Sequence, residues 1–251
     1  MQIKAMLLLV MVLFSSAALW RVSGLTDFQF FGTLIHRVDT TEPIIALTFD
    51  DGPTPHKTEQ ILQLLAAEQI SATFFLTGKD IESHPDLLQK ILAAGHQVGN
   101  HSYSHQRMLF KTPSFIAREI EKTDALLKAA GAPEPIYFRP PYGKKLFMLP
   151  RYLETHQRVA ITWDVAPENF PQLTENPTLL AEYTLSQAKS GSIILLHVMY
   201  DSRATTMQAV PAIIRGLKAK GYRFVTVSEL VHRQGGLEHS HLISSVDPLP
   251  K

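Results

Sequence analysis

The chain has 251 residues, of which 45% are hydrophobic and 19% are charged, and its formal net charge is +1 at pH 7. These values are those of a globular protein with one large domain or two small ones, and they give no sign of a nucleic-acid-binding or polybasic membrane surface. Cysteine is absent. This excludes thiol nucleophiles, thiolate metal sites and disulfides, and leaves His, Asp and Glu as the strong metal ligands.

Residues 1–24 differ from the rest of the chain, because Lys4 precedes an apolar run, Ala5 to Trp20, that ends at Arg21. This pattern is typical of an export signal. The run is long for a signal-peptide core and short for a membrane-spanning helix, so a signal peptide cleaved near Ala18 or after Gly24 and an uncleaved anchor both remain open. In either case we expect a periplasmic, secreted or membrane-anchored protein whose domain lies outside the cytoplasm.

From residue 44 onward, short apolar runs alternate with segments of helical periodicity. The predicted strands are 44–49, 72–76, 97–99, 137–139, 159–163, 193–197 and 223–226. The predicted helices are 58–68, 86–94, 113–130, 178–189 and 207–220. About seven strand-helix units favour a parallel barrel or near-barrel over an open sheet. We expect one domain over 42–233, a linker over 25–41 and a mobile tail over 234–251, in which His239 and His241 are solvated.

Two adjacent carboxylates, Asp50 and Asp51, stand where the first of these strands ends, in Thr48-Phe49-Asp50-Asp51-Gly52-Pro53. Adjacent side chains at a strand end point apart, so one carboxylate can ligate an ion while the other stays free as a base. Asp-Asp-Gly alone is also typical of a solvated turn. The pair therefore predicts a metal hydrolase only together with other residues.

His101 and His105 come directly after the third predicted strand. Spaced four apart, they lie on one face if the segment is a helical turn, and two imidazoles plus one carboxylate leave open positions on a divalent ion. Ser102 stands where the His-Glu-x-x-His motif of metalloproteases has Glu, so a general base must come from elsewhere.

Further polar residues follow the later strands. The segment from Arg139 to Gly143 is either a rigid proline-rich turn or a loop in which Arg139 pairs with a site carboxylate and a backbone N–H faces an oxyanion. Parallel strands bring their carboxyl ends to one face of a barrel. The residues predicted to cluster there are Asp50, Asp51, His101, Arg139, Asp164 and His197.

With these motifs in this order, the chain resembles the polysaccharide deacetylases with a NodB-homology domain, carbohydrate esterase family 4, over roughly 43–231. The matching motifs are Thr-Phe-Asp-Asp-Gly at 48–52, His-Ser-x-x-His at 101–105, Arg-Pro-Pro-Tyr-Gly at 139–143 and Leu-Leu-His at 195–197. The resemblance implies an α/β fold, a distorted, incomplete (β/α)7 barrel in a single domain. It also implies hydrolysis of N-acetyl, or O-acetyl, groups on a sugar polymer or oligosaccharide.

The resemblance further implies a role for each matching residue. A divalent metal, zinc in most members although other divalent transition metals also serve, would be held by Asp51, His101 and His105. Asp50 would be the general base, oriented by Arg139.

The remaining roles concern the leaving group and the substrate. His197 would be the general acid, the backbone N–H of Tyr142 would donate to the oxyanion, and Leu195 would line the pocket for the acetyl methyl group. A bound metal would polarise the acetyl carbonyl, Asp50 would take a proton from water, and His197 would protonate the departing amine.

The chain departs from the family pattern at two positions. The family usually has Asp-Trp after the fifth strand, where the Asp tunes the acid histidine, but this chain has Asn169-Phe170. Asn carries no charge, so Asp164 or Glu168 is expected to replace it. Val198 stands where the family's sixth-strand motif often continues with Asp, which affects substrate contacts more than chemistry.

Two functions from different classes remain as hypotheses. The first is a deacetylase acting on a chitin oligomer, peptidoglycan or an exopolysaccharide. The alternative is an exported carbohydrate-binding protein on the same scaffold with reduced or no turnover. The intact set of ligand, base and acid residues favours the enzyme, because a decayed site should lose its ligands first. A phosphodiesterase is disfavoured since no phosphate-binding loop is present.

Overall fold

The computed structural model describes residues 2–234. Its helices are α1 (Gln2–Val22), α2 (Lys57–Ala67), α3 (Gly78–Ser83), α4 (Pro85–Ala93), α5 (Pro113–Ala129), α6 (Met148–Thr155), α7 (Pro177–Gln187), α8 (Ala204–Ala219) and α9 (Val227–Gln234). Its strands are β1 (Leu34–Ile35), β2 (Ile44–Asp50), β3 (Thr73–Leu76), β4 (Gln97–Asn100), β5 (Ala160–Ile161), β6 (Ile193–His197) and β7 (Arg223–Val225). The predicted tail, with His239 and His241, lies outside the described residues beyond Gln234.

Strand β2 is the centre of the sheet and is buried at every position. It pairs in parallel with β6 along residues 46–50, with β3 along 48–50 and with β7 along 44–46. Strand β4 extends the sheet beside β3. A parallel strand with both faces covered is a continuous apolar run, which is why β2 was recognisable in the sequence.

The opposite wall of the barrel is closed by short pairings. Phe138 bridges Asn100 at the end of β4 and Ala160 in β5, and β5 pairs with β1. Bridges from Arg37 and Val165 then connect this wall to the start of β6. The expected distorted, incomplete barrel in a single domain is thereby confirmed.

Two predicted segments differ from the structure on this wall. Residues 137–139, predicted as a strand, make only single bridges at Phe138, since the two following prolines have no N–H to extend a ladder. Leu34–Ile35, which fall in the predicted linker 25–41, instead form β1. The folded unit therefore takes in part of the segment before residue 42.

Alternation along β2 separates the core from the site. Ile45, Leu47 and Phe49 pack in the cluster that joins the sheet to the surrounding helices. Ile44 and Ala46 belong to a second cluster, with residues of β6 and the start of α9. Because side chains alternate with a period of two, Thr48 and Asp50 share the second face. The strand therefore delivers Asp50 to the barrel interior at its carboxyl end.

The helices cover the outside of this barrel. Helices α7 and α8 pack together, as do α2 and α4, and α5 packs against α3 and α6. The start of α5 matches the sequence prediction, because the Thr112 hydroxyl accepts a hydrogen bond from the Phe115 N–H at 3.2 Å and Pro113 occupies the first turn.

Candidate active site

Asp50, the last residue of β2, forms a buried ion pair with Arg139. The Asp50 Oδ1 atom lies 2.6 Å from Nη1 of Arg139, whose side chain is 0% exposed. The same guanidinium donates to the Thr48 hydroxyl at 2.8 Å and to the Thr162 carbonyl at 3.1 Å. Burial would raise the pKa of Asp50, but Arg139, with His101 and His197, outweighs burial and holds that pKa below its ordinary value. Asp50 is therefore ionised and fixed in place.

Asp51 leaves the strand in a left-handed conformation, with φ of 74°. Few residues other than glycine adopt such a φ, and they occur often at functional sites. Gly52 has the same sign of φ, and a Cβ there would lie 2.8 Å from Cγ of Met199, so only glycine fits. This turn directs the Asp51 carboxylate toward His105, whose Nε2 lies 3.4 Å from Oδ1.

His101 and His105 converge through an irregular loop, not through the helical turn considered from their spacing. Ser102 and His105 both have positive φ, 65° and 55°. The loop is held by side chains, because the Asn100 amide oxygen accepts from the Ser102 N–H at 2.8 Å and the Ser102 hydroxyl accepts from the His105 N–H at 3.1 Å. The two Nε2 atoms consequently lie 3.2 Å apart.

The protonation of these rings suits a metal site. Nδ1 of His101 lies 2.8 Å from the Arg139 carbonyl oxygen, so it carries the proton and leaves the Nε2 lone pair free. Burial, followed by the neighbouring imidazole of His101, lowers the pKa of His105 to about 4, so the His105 ring is neutral near pH 7. Two imidazole nitrogens and a carboxylate are a donor set that zinc prefers.

The three predicted ligands come together as a group. One ligand atom from each of Asp51, His101 and His105 lies within 4.8 Å of the other two. Lone pairs this close repel one another unless a cation lies between them. The residues therefore fit a divalent metal ion.

His197, the last residue of β6, pairs with Glu168 from the short turn Pro167–Asn169. Its Nδ1 lies 2.6 Å from Glu168 Oε2, which also accepts from the His197 backbone N–H at 3.0 Å. The other oxygen of Glu168 accepts from the Thr206 hydroxyl at 2.6 Å. Burial would lower the pKa of His197, but the Glu168 carboxylate, with Asp50 and Asp51, outweighs burial and raises it.

Asp164 does not join this cluster. Its carboxylate accepts hydrogen bonds from the Ser192 hydroxyl and the Ile193 N–H, both at 2.8 Å. Asn169 is exposed. Of the two acids considered as replacements for the family's Asp, Glu168 contacts His197, whereas Asp164 holds the start of β6.

Tyr142 and Leu195 border the site on different sides. Tyr142 has φ of 58°, and its ring centroid lies 4.7 Å from that of His105. The guanidinium of Arg107 lies 4.2 Å from the centre of the Tyr142 ring. Leu195 is buried in β6 two residues before His197, so both side chains point to the same face of the strand.

Two recesses flank His105 at the surface. One, of about 460 Å³, is lined by His105, Arg107, Phe110, Tyr142 and Trp20. The other, of about 220 Å³, lies toward the hydrogen bond of 3.1 Å between the Tyr200 hydroxyl and Asp80. Both recesses include His105 in their lining, so each one borders the candidate metal site.

Sequence reasoning missed several residues that support the site. Thr48 contacts Arg139, Thr206 contacts Glu168, and Asn100 holds the histidine loop. Thr48 had a signal, since it is a polar residue two positions before Asp50 in an apolar strand and so shares its face. Thr206 had none, because it comes from the first turn of a distant helix.

Comparison with known proteins shows which proteins this chain resembles. The family model described as polysaccharide deacetylase matches residues 37–157. A peptidoglycan-N-acetylglucosamine deacetylase of Bacillus cereus is 34% identical over 80% of this chain and 93% of its own length. The peptidoglycan-N-acetylmuramic acid deacetylase PdaC of Bacillus subtilis is 34% identical over 77% of this chain, which spans 40% of that relative's length.

A solved structure shares the fold. The Bc1960 peptidoglycan N-acetylglucosamine deacetylase, crystallised with 4-naphthalen-1-yl-N-oxidanyl-benzamide, superposes with a TM-score of 0.73 at 30% identity. The match covers 78% of this chain and 91% of that chain. Sequence, fold and site therefore lead to one conclusion: the chain belongs to the polysaccharide deacetylase family of carbohydrate esterase family 4, whose members are hydrolases.

Proposed function

We propose that this chain removes N-acetyl, or O-acetyl, groups from a sugar polymer or oligosaccharide in a metal-dependent reaction. The observation that carries the proposal is the grouping at one barrel end of an ionised carboxylate, three converging ligand atoms and a histidine with a raised pKa. These groups can serve metal-assisted hydrolysis of an amide, since the ligand atoms would hold a Lewis acid, the carboxylate would accept a proton from water and the histidine would protonate the amine, which leaves only after protonation.

The ligands of the metal would be Asp51, His101 and His105. Zinc fits this donor set, and when bound it would act as a Lewis acid that polarises the acetyl carbonyl and acidifies water. Arg139 contributes indirectly, because its backbone carbonyl oxygen accepts a hydrogen bond from the Nδ1–H of His101, which leaves His101 Nε2 free for the ion.

Asp50 would act as the general base. Arg139 occupies its Oδ1, which leaves Oδ2, 3.5 Å from His101 Nε2, to accept the proton from the attacking water. Arg139 also keeps the carboxylate ionised, and a buried, fixed base needs no reorganisation during reaction. The backbone N–H of Tyr142 is our candidate donor to the oxyanion that forms on the acetyl oxygen.

His197 would act as the general acid. The Nδ1–H of His197 is hydrogen-bonded to Glu168, which leaves Nε2 to face the site. Nε2 would deliver its proton to the sugar nitrogen as the carbon–nitrogen bond breaks. The products are acetate and a free amino sugar. Leu195, on the same face of β6, would contact the acetyl methyl group.

The substrate we propose is an N-acetylated glycan. The relatives described above act on N-acetylglucosamine or N-acetylmuramic acid of peptidoglycan, and chitin oligomers and exopolysaccharides carry the same acetamide group. Such polymers lie outside the cytoplasm, so we propose that α1 directs export of the domain, as a signal peptide or as an anchor.

Acetate release tests the proposal directly. Zinc-loaded full-length protein should release acetate from peptidoglycan or N-acetylglucosamine oligomers, and a chelator should abolish the release until zinc is restored. The His105→Ala variant should lose bound metal and activity, whereas His156→Ala, at an exposed position on the far end of α6, should keep both. Glycan binding without acetate release from any of these substrates would favour the carbohydrate-binding alternative.

A further inference from the structure

The segment that follows α1 is embedded in the domain. The Ser23 side chain is 1% exposed, and its backbone carbonyl accepts a hydrogen bond from the Lys145 N–H at 2.8 Å. The Thr162 hydroxyl, next to β5, donates to the carbonyl of Thr26. Ser23 is therefore buried, and the backbone carbonyls of Ser23 and Thr26 are hydrogen-bonded to the domain, contacts that a disposable leader has no reason to make.

Two lysines clamp this segment to the turn that bears Tyr142. The Lys144 ammonium donates to the Trp20 carbonyl at 2.9 Å and to the Ser23 hydroxyl at 3.2 Å, and it lies 4.1 Å from the centre of the Trp20 indole. Lys145 is 2% exposed, and its ammonium donates to the Leu25 carbonyl. Burial lowers the pKa of Lys145 to about 8, so this cation relies on the acceptors that the segment provides.

Both expected cleavage points conflict with these contacts. Cleavage after Gly24 would remove Ser23 and would create a second ammonium group at Leu25, beside Lys145. The point near Ala18 lies inside α1, which continues unbroken to Val22 and is pinned at its end. Proteases cut exposed, unpaired backbone far more readily than a fixed helix.

A retained α1 has the dimensions of an anchor. It has 21 residues, and its most apolar 18-residue window has a mean hydropathy of 2.1, with none of that window buried in the protein. At about 1.5 Å per residue it spans roughly 30 Å, the thickness of the hydrocarbon core of a bilayer.

Exposed aromatic residues form two groups, Trp20 at the end of α1 with Phe110, and Phe28 and Phe30 in the segment after α1 with Phe147. We call Trp20, Phe28, Phe30, Phe110 and Phe147 the aromatic collar. The ring of Phe30 lies 5.1 Å from that of Phe28 and 4.6 Å from that of Phe147, and Phe110 is 83% exposed. A mostly apolar cavity of about 430 Å³ joins Trp20 to Phe110. Apolar patches of this kind mark interaction sites, and aromatic rings favour the lipid–water interface.

We infer that α1 is retained and crosses the membrane, and that the aromatic collar seats the domain on the lipid surface around it. Lipid is the occupant that fits, because the collar is continuous with a bare membrane-length helix. Arg21 in the last turn of that helix and Arg107 in the recess beside Trp20 and Phe110 suit anionic headgroups.

This seating has a consequence for the substrate, which rests on the proposed function. Trp20 and Phe110 also line the recess that leads to His105. That recess therefore opens at the membrane surface, and acetylated glycan close to the membrane is the material that reaches the site.

The first test is the mass of the full-length protein isolated from membranes of an expressing bacterium. We expect an uncleaved chain of 28.1 kDa that resists extraction by alkaline carbonate. A chain that begins after residue 18 or 24 would overturn the inference.

The second test places a probe on the collar. Because the chain has no cysteine, Phe110→Cys and Phe147→Cys each give a single site for a fluorescent label, and Ser186→Cys on α7 is the matched control. In vesicles of brominated phosphatidylcholine and phosphatidylglycerol, both collar labels should lose most of their emission and the control label should keep it.

If either collar label kept its emission in the brominated vesicles, the membrane seating would be overturned. The same result is expected if a second copy of the chain covers the collar instead of lipid. Acetate release is measured on the Ser186→Cys sample, whose label is not in the recess that Phe110 lines. Loss of activity in that sample would count against the proposed function and loss of quenching at the collar against the membrane seating, so the two failures are distinguishable.

Discussion

One carboxylate oxygen of Glu168 accepts two hydrogen bonds from His197: Oε2 lies 2.6 Å from the imidazole Nδ1 and 3.0 Å from the backbone nitrogen of His197. The backbone bond fixes the carboxylate relative to β6, so the imidazole cannot rotate without losing its partner. The pair thus sets both the orientation and the protonation of the candidate acid, at a position where Asn169 supplies no charge.

We expect Glu168→Gln to lower the pKa of His197 and to reduce turnover. The acid must be protonated to work, so activity falls as pH rises through the pKa of His197. The Glu168 carboxylate raises the pKa of His197 against the effect of burial, so its loss should lower that pKa. The alkaline limb of the pH–rate profile should then move to lower pH. Turnover should fall by between about 10-fold and 10⁴-fold. The measurement is acetate release from pH 5 to 10.

Asp164→Asn is the matched control for this variant. Its carboxylate bonds Ser192 and Ile193 at the start of β6 and does not touch the imidazole. We expect its pH–rate profile to keep the wild-type shape. If the pH–rate profile shifted with Asp164→Asn and not with Glu168→Gln, then Asp164 would tune the pKa of His197, and the assignment of that role to Glu168 would be wrong.

Arg139→Met should destabilise the domain strongly. The ion pair with Asp50 is buried, and removing one partner leaves an uncompensated charge, which costs about 3–5 kcal/mol of unfolding free energy. Without the guanidinium, burial dominates and the pKa of Asp50 should rise, so the base is partly neutralised at neutral pH. Urea unfolding and acetate release measure the two effects.

The double variant Arg139→Met with Asp50→Asn tests the origin of that loss. Removing the orphaned charge should recover part of the stability, so the two substitutions should be non-additive. Additive losses would mean that Arg139 stabilises the barrel mainly through Thr48 and Thr162. Activity should not return in the double variant, because the base is absent.

His96 should make the protein acid-sensitive. Its ring is buried, Nδ1 accepts from the Ala72 N–H at 3.3 Å, and burial lowers its pKa from 6.5 to about 4. Between these values the unfolded chain binds a proton that the folded chain does not, so stability falls as pH drops from 6.5 toward 4. The loss should reach about 3 kcal/mol.

The substitution His96→Gln should flatten this dependence, since an amide oxygen can accept the Ala72 N–H without titrating. His156→Gln, at an exposed position, should leave the dependence unchanged. Urea unfolding of the full chain at pH 4, 5 and 7 gives the comparison. An identical pH slope in wild type and His96→Gln would show that other groups cause the acid sensitivity.

The sequence predicted the parts of the fold that have a strong pattern. Strand β2 is a continuous apolar run that stops at Asp50, and α5 carries both a capping Thr112 and a first-turn Pro113. Strand β1 has only Leu34 and Ile35, too short for any period, and it was assigned to a linker. Helix α3 was missed for the same reason, since Ile81 is its single large apolar residue.

The sequence predicted most of the residues that meet at the strand ends, but it did not predict all of the individual contacts among them. Parallel topology brought Asp50, Asp51 and His197 together as expected. The contact of Glu168 with His197 was left open because the turn that carries it has no periodicity. The convergence of His101 and His105 depends on left-handed residues and on Asn100, which the four-residue spacing does not reveal.

The division of labour between Asp50 and Asp51 is the central claim of this account. Both metal content and acetate release are to be measured on the same preparations of Asp50→Asn and Asp51→Ala. Asp50→Asn should retain the metal and lose turnover, whereas Asp51→Ala should lose both together. If the two variants bind metal equally well, the assignment of one carboxylate as base and the other as ligand is contradicted.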